Sequence, residues 1–209
     1  SSTTLTSDAS LGNISINNSA TLLIQSGSIT TAGALIPSTF FGFGNLLMTG
    51  GTLTAGNSLY TLGGVGFSSG EFLLRGGVAS IGGFDVGTLG GARLIVEGGT
   101  LNTTVINVGS TGGVATARCL GGTMNNSGNL RIGIDGNGSM LVASGSVTTA
   151  NLSMGHDGRQ GTFLHQGGDV TTGNFYFGNT LNAHVSYQGT NCIFTATTTH
   201  VGYQGASGL

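Results

Sequence analysis

Short runs of alternating apolar and polar residues follow one another along the chain, and each run leads to a pair of small residues. The pair is Gly-Gly or Ser-Gly and recurs about every 23 residues. Its copies are Ser26-Gly27, Gly50-Gly51, Gly76-Gly77, Gly98-Gly99, Gly121-Gly122, Ser144-Gly145 and Gly167-Gly168, with Gly189-Thr190 as a decayed eighth copy. Alternation with a period of two predicts β-strands, and a fixed repeat of this length is typical of stacked repeat architectures.

Three apolar segments in each copy predict three strands. In the fourth copy, Leu94 and Val96 precede the glycine pair, Leu101 follows it, and the segment 106–109 ends in the pattern apolar-x-apolar-Gly. Three short strands and three corners per turn predict an all-β fold, a single-strand parallel β-helix or β-solenoid with about 23 residues per turn. In the eighth copy the same alignment assigns Val185, Tyr187 and Cys192 to the apolar columns.

Residues 1–209 are predicted to form one β-solenoid segment of about eight to nine turns without a domain boundary. The last repeat breaks off after 201–205, and neither end has the polar, atypical cap that usually closes a solenoid. We therefore expect the chain to be an excerpt of a longer repetitive protein.

The composition predicts that glycine forms the corners of the fold and argues against nucleic acid as a partner. Gly accounts for 42 of 209 residues and Pro for 1, so glycine is expected to supply corners with positive φ, notably at Gly133, Gly155 and Gly178. Only 6% of the residues are charged and the net charge is −2. The arginines are Arg75, Arg93, Arg118, Arg131 and Arg159. Scattered in this way they argue against a nucleic-acid partner, and no segment predicts a transmembrane helix.

Candidate chemistry is sparse. Only Asp135 and Asp157 occupy matching positions in consecutive copies, where stacked carboxylates could hold a calcium ion or act as a glycosidase pair. Asp before Gly is also ordinary turn chemistry, so we expect no cofactor, no metal site beyond these two candidates and no enzymatic activity.

His165 is expected to be a core imidazole satisfied by a backbone group or by Tyr187. Cys119 and Cys192 are expected to be unpaired, buried thiols.

Hydroxyl and amide side chains recur just after the third apolar column. They are Thr30-Thr31, Thr54, Asn102-Thr103, Asn125-Asn126, Thr148-Thr149 and Thr171-Thr172. A structural ladder, in which each rung bonds to the next, is the favoured interpretation, and ice binding is a distant alternative.

An aliphatic column lies between the two inward positions of the first strand and is therefore expected to point outward. Its members are Leu23, Leu47, Leu73, Ile95, Leu141 and Leu164, with Arg118 and Ser186 in the other two copies. A contiguous apolar stripe on a solvent-facing sheet usually marks an interaction face, and we expect another chain to cover it.

The segment 161–172, GTFLHQGGDVTT, followed by 174–178, NFYFG, resembles the glycine-rich repeats of secreted bacterial β-solenoid proteins, of the autotransporter-passenger and surface-adhesin type. The resemblance implies a structural or adhesive protein that is extracellular or displayed on the cell surface. Such a protein would self-associate into a filament, fibre or sheath, with surface glycans as possible partners. A carbohydrate-binding or carbohydrate-cleaving β-helix is the alternative.

Overall fold

The computed structural model describes residues 1–12, 14–16, 20–31, 35–36, 43–62, 69–156, 159–179 and 183–202. Within these ranges the chain is all-β, with no helix and hence none that could cross a membrane. The strands are β1 Ser2–Leu5, β2 Ala9–Leu11, β3 Ile14–Ser15, β4 Ala20–Ile24, β5 Ser28–Thr31, β6 Leu35–Ile36, β7 Phe43–Met48, β8 Thr52–Leu62, β9 Ser69–Leu74, β10 Val78–Val86, β11 Ala92–Val96, β12 Thr100–Val108, β13 Val114–Cys119, β14 Thr123–Ile132, β15 Asn137–Val142, β16 Ser146–Met154, β17 Gln160–His165, β18 Asp169–Phe177, β19 His184–Gly189 and β20 Ile193–Val201.

The strands stack into two parallel sheets of nine strands each. Sheet 1 has the order β1-β4-β7-β9-β11-β13-β15-β17-β19, and sheet 2 has the order β2-β5-β8-β10-β12-β14-β16-β18-β20. Each strand pairs with its counterpart one repeat later, as Ala117 with Met140 and Cys119 with Val142. The chain is therefore a parallel β-solenoid with about 23 residues per turn, which confirms the predicted fold class.

The second and third predicted segments of a turn are joined into one long strand from β8 onward. The register of sheet 2 shifts where the two segments meet, between Thr103 and Val105 and between Asn126 and Asn129. A bulge bends a strand while pairing continues on both sides, so the corner is built inside the strand. In the first two turns the third segment is separate, as β3 and β6 of a two-stranded sheet.

The core lies between the inner faces of the two sheets. Phe72 of β9 and Phe84 of β10 are fully buried, and their ring centroids are 5.4 Å apart across the core. Leu94, Leu101 and Ile106, one from each predicted segment of the same turn, are also fully buried. The three apolar columns therefore converge on one continuous core along the rod.

Glycines at the corners have the left-handed backbone that other residues rarely adopt. The φ angles of Gly133, Gly155 and Gly178 are 70°, 68° and 71°, as predicted. At Gly133 an added Cβ would lie 2.7 Å from the carbonyl carbon of Gln160 on the next rung. This corner therefore needs glycine for its φ angle and for the close approach of neighbouring turns.

The register of the eighth copy differs from the prediction by two residues. Phe163 pairs with Tyr187 instead of Val185, and Val170 with Phe194 instead of Cys192. This register places two rings over the core, with Tyr187 5.4 Å from Phe163 and Phe194 5.0 Å from Phe175 between centroids. Aromatic packing fills the turn better than the smaller residues that the glycine alignment selected. Cys192 is consequently half-buried, whereas Cys119 is buried as expected, and both thiols are free.

Candidate functional site

The aliphatic column occupies positions of sheet 1 that alternate with core positions; its members are half-buried, except that Ile95 is buried. Register pairs link Leu23 to Leu47, Leu47 to Leu73, Leu73 to Ile95, and Leu141 to Leu164. Arg118, which is exposed, pairs with Ile95 on one side and Leu141 on the other. The column is therefore a stretch of four aliphatic side chains and a stretch of two, separated by one cation. On the last rung its position is held by Gln188 instead of the expected Ser186, for the register reason given above.

Four charged residues surround Leu73 and Ile95, the central pair of the column. Arg93 Nε lies 2.9 Å from Glu71 Oε2, and Arg75 Nε lies 2.8 Å from Glu97 Oε2. Glu71 and Arg93 stand two positions before Leu73 and Ile95 on the same faces of their strands. Arg75 and Glu97 stand two positions after the same two residues, just past the strand ends. We call this arrangement the charge checkerboard, because the sign alternates both along each rung and between the rungs.

The checkerboard accounts for the low exposure of Ile95, whereas Leu73 is half-buried like the rest of the column. Ile95 is 9% exposed although it points away from the core, since an ion pair spans its rung and the previous one on either side. Both ion pairs are solvent-accessible, so they add little to folding stability. Sequence reasoning missed them, although opposite charges one repeat apart were the available signal.

A groove of about 610 Å³ follows the bend of sheet 2 across five strands, from Thr54 on β8 to Thr148 on β16. Two columns of hydroxyl and amide residues run along sheet 2, and their middle members line the groove. The outer column, partly or fully exposed, contains Thr30, Thr54, Ser80, Asn102, Asn125, Thr148, Thr171 and Thr195. The inner column includes Thr31, Thr103, Asn126, Thr149 and Thr172, all buried.

Hydrogen bonds between rungs hold this groove together. Asn125 Nδ2 donates to Asn102 Oδ1 at 3.1 Å in the outer column, and Asn126 Nδ2 donates to Thr149 Oγ1 at 3.1 Å in the inner one. The Thr149 hydroxyl in turn donates to the Gly128 carbonyl at 3.0 Å. The polar ladder thus satisfies buried groups at the bend, which is the structural role that the sequence favoured.

Of the two candidate metal ligands, the structure describes only Asp135. Asp135 is exposed in its corner, where its backbone carbonyl accepts the Gly112 N–H at 2.8 Å. Asp157 lies outside the described residues. Among the residues that the structure describes, no three His, Cys, Asp or Glu side chains converge on a common point.

His165 is a core residue. Its Nε2 lies 3.1 Å from the Gly168 carbonyl, so Nε2 carries the proton, and Nδ1 accepts the Tyr187 hydroxyl at 3.3 Å. Both partners match the prediction of an imidazole satisfied by a backbone group and Tyr187. Burial lowers the pKa of His165, which keeps the ring neutral.

A second, smaller pocket of about 250 Å³ lies on the outer face of the third segment. Every residue that lines it has a polar side chain: Asn129, Arg131, Asn151, Ser153, His156, Tyr176 and Asn179. We call it the polar pocket. Arg131, Ser153 and Tyr176 are successive members of one outward column, the x position of the apolar-x-apolar-Gly pattern. Alternation within that pattern places these side chains on the outer face, but their convergence was not recognised from the sequence.

No family model matches the chain, and comparisons with curated proteins and with solved structures give no match either.

Proposed function

We propose that this chain is a segment of a structural or adhesive extracellular β-solenoid, which self-associates side by side into a filament, fibre or sheath on a cell surface. The partner is a second copy of the same rod, bound through the outer face of sheet 1. The observation that carries the proposal is the aliphatic column with the charge checkerboard at its centre.

The checkerboard is self-complementary. On the β9 rung Glu71 is followed by Arg75, and on the β11 rung Arg93 is followed by Glu97. Two copies placed face to face about a two-fold axis along the strands bring each rung opposite the other rung. An axis along the rod instead exchanges the two sides of each rung. In both arrangements every carboxylate faces a guanidinium, so the same surface recognises itself.

The apolar stretches supply the contact area. The column runs from β4 to β17, and six steps of about 4.8 Å give a length of about 29 Å. A strand of five residues adds a width of about 17 Å, so the face measures on the order of 500 Å² per copy. Stable complexes bury about 800 Å² per partner, so one such segment associates weakly and a longer rod more firmly.

Composition supports the proposed location. With 6% charged residues, solubility rests on Ser, Thr, Asn and Gly, a surface better suited to an assembled extracellular structure than to a freely diffusing protein. The resemblance to secreted bacterial repeat proteins points the same way.

Sedimentation velocity over a hundredfold range of concentration tests the proposal. The triple variant Leu47→Asp, Leu73→Asp and Leu141→Asp is expected to stay folded, because these side chains lie outside the core, and to sediment as a monomer where the wild type associates. Aspartates at Thr54, Thr148 and Thr171 of sheet 2 form the matched control and should associate like the wild type. Equal association of the two triple variants, or none in the wild type at any concentration, would overturn the proposal.

A further inference from the structure

We propose that the polar pocket binds a saccharide that carries a carboxylate, such as a uronic acid residue. The pocket lies on sheet 2, so the proposal does not depend on self-association through sheet 1. It gives the carbohydrate-binding alternative a defined place in the fold, with Arg131 and Tyr176 as the residues that recognise the sugar.

The small side chain of Ser153 creates the space. Ser153 stands between Arg131 on the previous rung and Tyr176 on the next. Two rungs separate the backbones of the larger residues by about 9.6 Å. The short, buried side chain of Ser153 forms the floor of the pocket between them, with His156 beside it. A ring-shaped ligand can therefore contact a guanidinium on one side and a phenol ring on the other.

Tyr176 is held in a fixed orientation. Its ring stacks on His200 of the next rung, with centroids 4.8 Å apart and planes 7° from parallel. His200 lies on the next rung, whereas most of the residues that line the polar pocket with Tyr176 lie on the two previous rungs, so the pocket extends from Tyr176 away from His200. An electron-rich aromatic face attracts the polarised C–H groups of a sugar ring.

Arg131 provides the charge. Within the described residues it forms no ion pair within 4 Å. It attracts Asp85 two rungs away, whose carboxylate accepts a hydrogen bond from Asn107 at 2.6 Å. The guanidinium keeps its forked donors for an external carboxylate, which is the geometry that Arg binds best. This feature favours an acidic sugar over a neutral one.

The remaining walls are ordered by hydrogen bonds. His156 Nε2 lies 3.2 Å from Ser153 Oγ and 2.9 Å from Asn179 Nδ2, while Asn151 Nδ2 donates to Asn129 Oδ1 at 3.0 Å. Amides and hydroxyls at fixed positions offer both donors and acceptors to sugar hydroxyls, and an ordered wall loses little entropy on binding.

The test uses three probes in ligand-observed and protein-observed NMR titrations at fixed ionic strength: methyl β-D-glucuronide, methyl β-D-glucoside and inorganic phosphate. The two glycosides differ at the carboxylate and share the ring. We expect the glucuronide to bind at least about tenfold more tightly than the glucoside, with shifts confined to the polar pocket.

Variants assign the two contacts. Arg131→Gln and Tyr176→Ala should each weaken glucuronide binding at least about tenfold. Arg131→Lys keeps the positive charge but lacks the paired N–H donors of the guanidinium, so its affinity for the glucuronide should lie between those of these variants and the wild type. Arg118→Gln on sheet 1 is the matched control and should bind normally. Circular dichroism checks that every variant is folded.

Three outcomes would overturn the proposal. Equal binding of the two glycosides would remove the role of the carboxylate. Phosphate binding that equals glucuronide binding and survives Tyr176→Ala would reduce the pocket to a general anion site. The third is that none of the probes binds.

Discussion

Gly133→Ala is the sharpest test of how consecutive turns approach one another. Gly133 has a φ of 70°, and its N–H donates to the Val108 carbonyl at 2.8 Å, so the corner is part of the ladder that joins the turns. Alanine adds one methyl group without polarity or flexibility. Any loss of stability therefore reports backbone conformation and space alone.

Two costs add at this position. An L-residue in the left-handed region costs roughly 1–2 kcal/mol. The new Cβ would also lie 2.7 Å from the carbonyl carbon of Gln160, where 3.4–4 Å is ordinary contact, so the backbone of β17 must move. Crowding of this kind costs roughly 1–3 kcal/mol, which gives a predicted loss of roughly 2–5 kcal/mol in total.

Two other glycines separate the two costs. Gly112 has a φ of 83° with no atom within 4 Å of its added Cβ, so Gly112→Ala should lose only the roughly 1–2 kcal/mol of the backbone. Gly56 has no positive φ and no atom within 4 Å of an added Cβ, and Gly56→Ala should be neutral or stabilising by up to about 1 kcal/mol.

Urea unfolding followed by circular dichroism gives the three free energies, and amide hydrogen exchange shows whether the loss spreads from the altered rung, as nearest-neighbour coupling in solenoids predicts. Equal losses for Gly133→Ala and Gly112→Ala would refute the close approach of the turns. A Gly133→Ala protein as stable as the wild type would refute the left-handed corner as well.

Three further predictions concern titratable groups. Burial raises the pKa of Cys119 to about 11, so iodoacetamide at pH 8 should label the half-buried Cys192 in the folded protein and spare Cys119, and mass spectrometry that finds equal labelling would contradict this. Since burial lowers the pKa of His165 below 6.5, the stability that its neutral ring contributes should be lost as the pH falls below 6.5 through the lowered pKa, and pH-dependent urea unfolding should show a smaller loss for His165→Gln. Burial raises the pKa of Asp85 above 3.8, so the folded protein should lose stability as the pH rises from 3.8 through that raised value. In thermal unfolding, the stability of Asp85→Asn relative to the wild type should therefore increase with pH. A constant difference would contradict this prediction.

Local periodicity was enough to predict the solenoid. The positions of Leu94, Val96 and Leu101 relative to the glycine pair predicted three buried residues, because alternation and a fixed repeat leave one way to bury the apolar columns. The left-handed glycines followed from the same corners. These features depend on neighbours in sequence or on the equivalent residue one turn away.

Features that depend on packing between side chains were less accessible. The bulge between Thr103 and Val105 leaves no signal in hydropathy, so two segments were expected where one bent strand exists. The sequence alignment of the last turn relied on Gly189-Thr190, the decayed copy of the glycine pair. In the structure, ring contacts of Tyr187 and Phe194 set the register of this turn instead.

The polar pocket shows the same limit. Arg131 and Tyr176 are two copies apart in the sequence and line one pocket, with the small Ser153 between them. Their shared column could be predicted from the repeat, but the pocket depends on the sizes and hydrogen bonds of seven side chains. The charge checkerboard was predictable in principle, since each ion pair joins residues one repeat apart.

Electron cryomicroscopy of the native material tests the central proposal most directly. Side-by-side association predicts filaments or bundles in which the β-strands repeat every 4.8 Å or so along each rod and neighbouring rods meet through sheet 1, about 10 Å from sheet to sheet. Leu47, Leu73 and Ile95 should lie in that interface, with the checkerboard charges paired between rods. Isolated rods at every concentration, or bundles joined through sheet 2 with the aliphatic column open to solvent, would contradict the account.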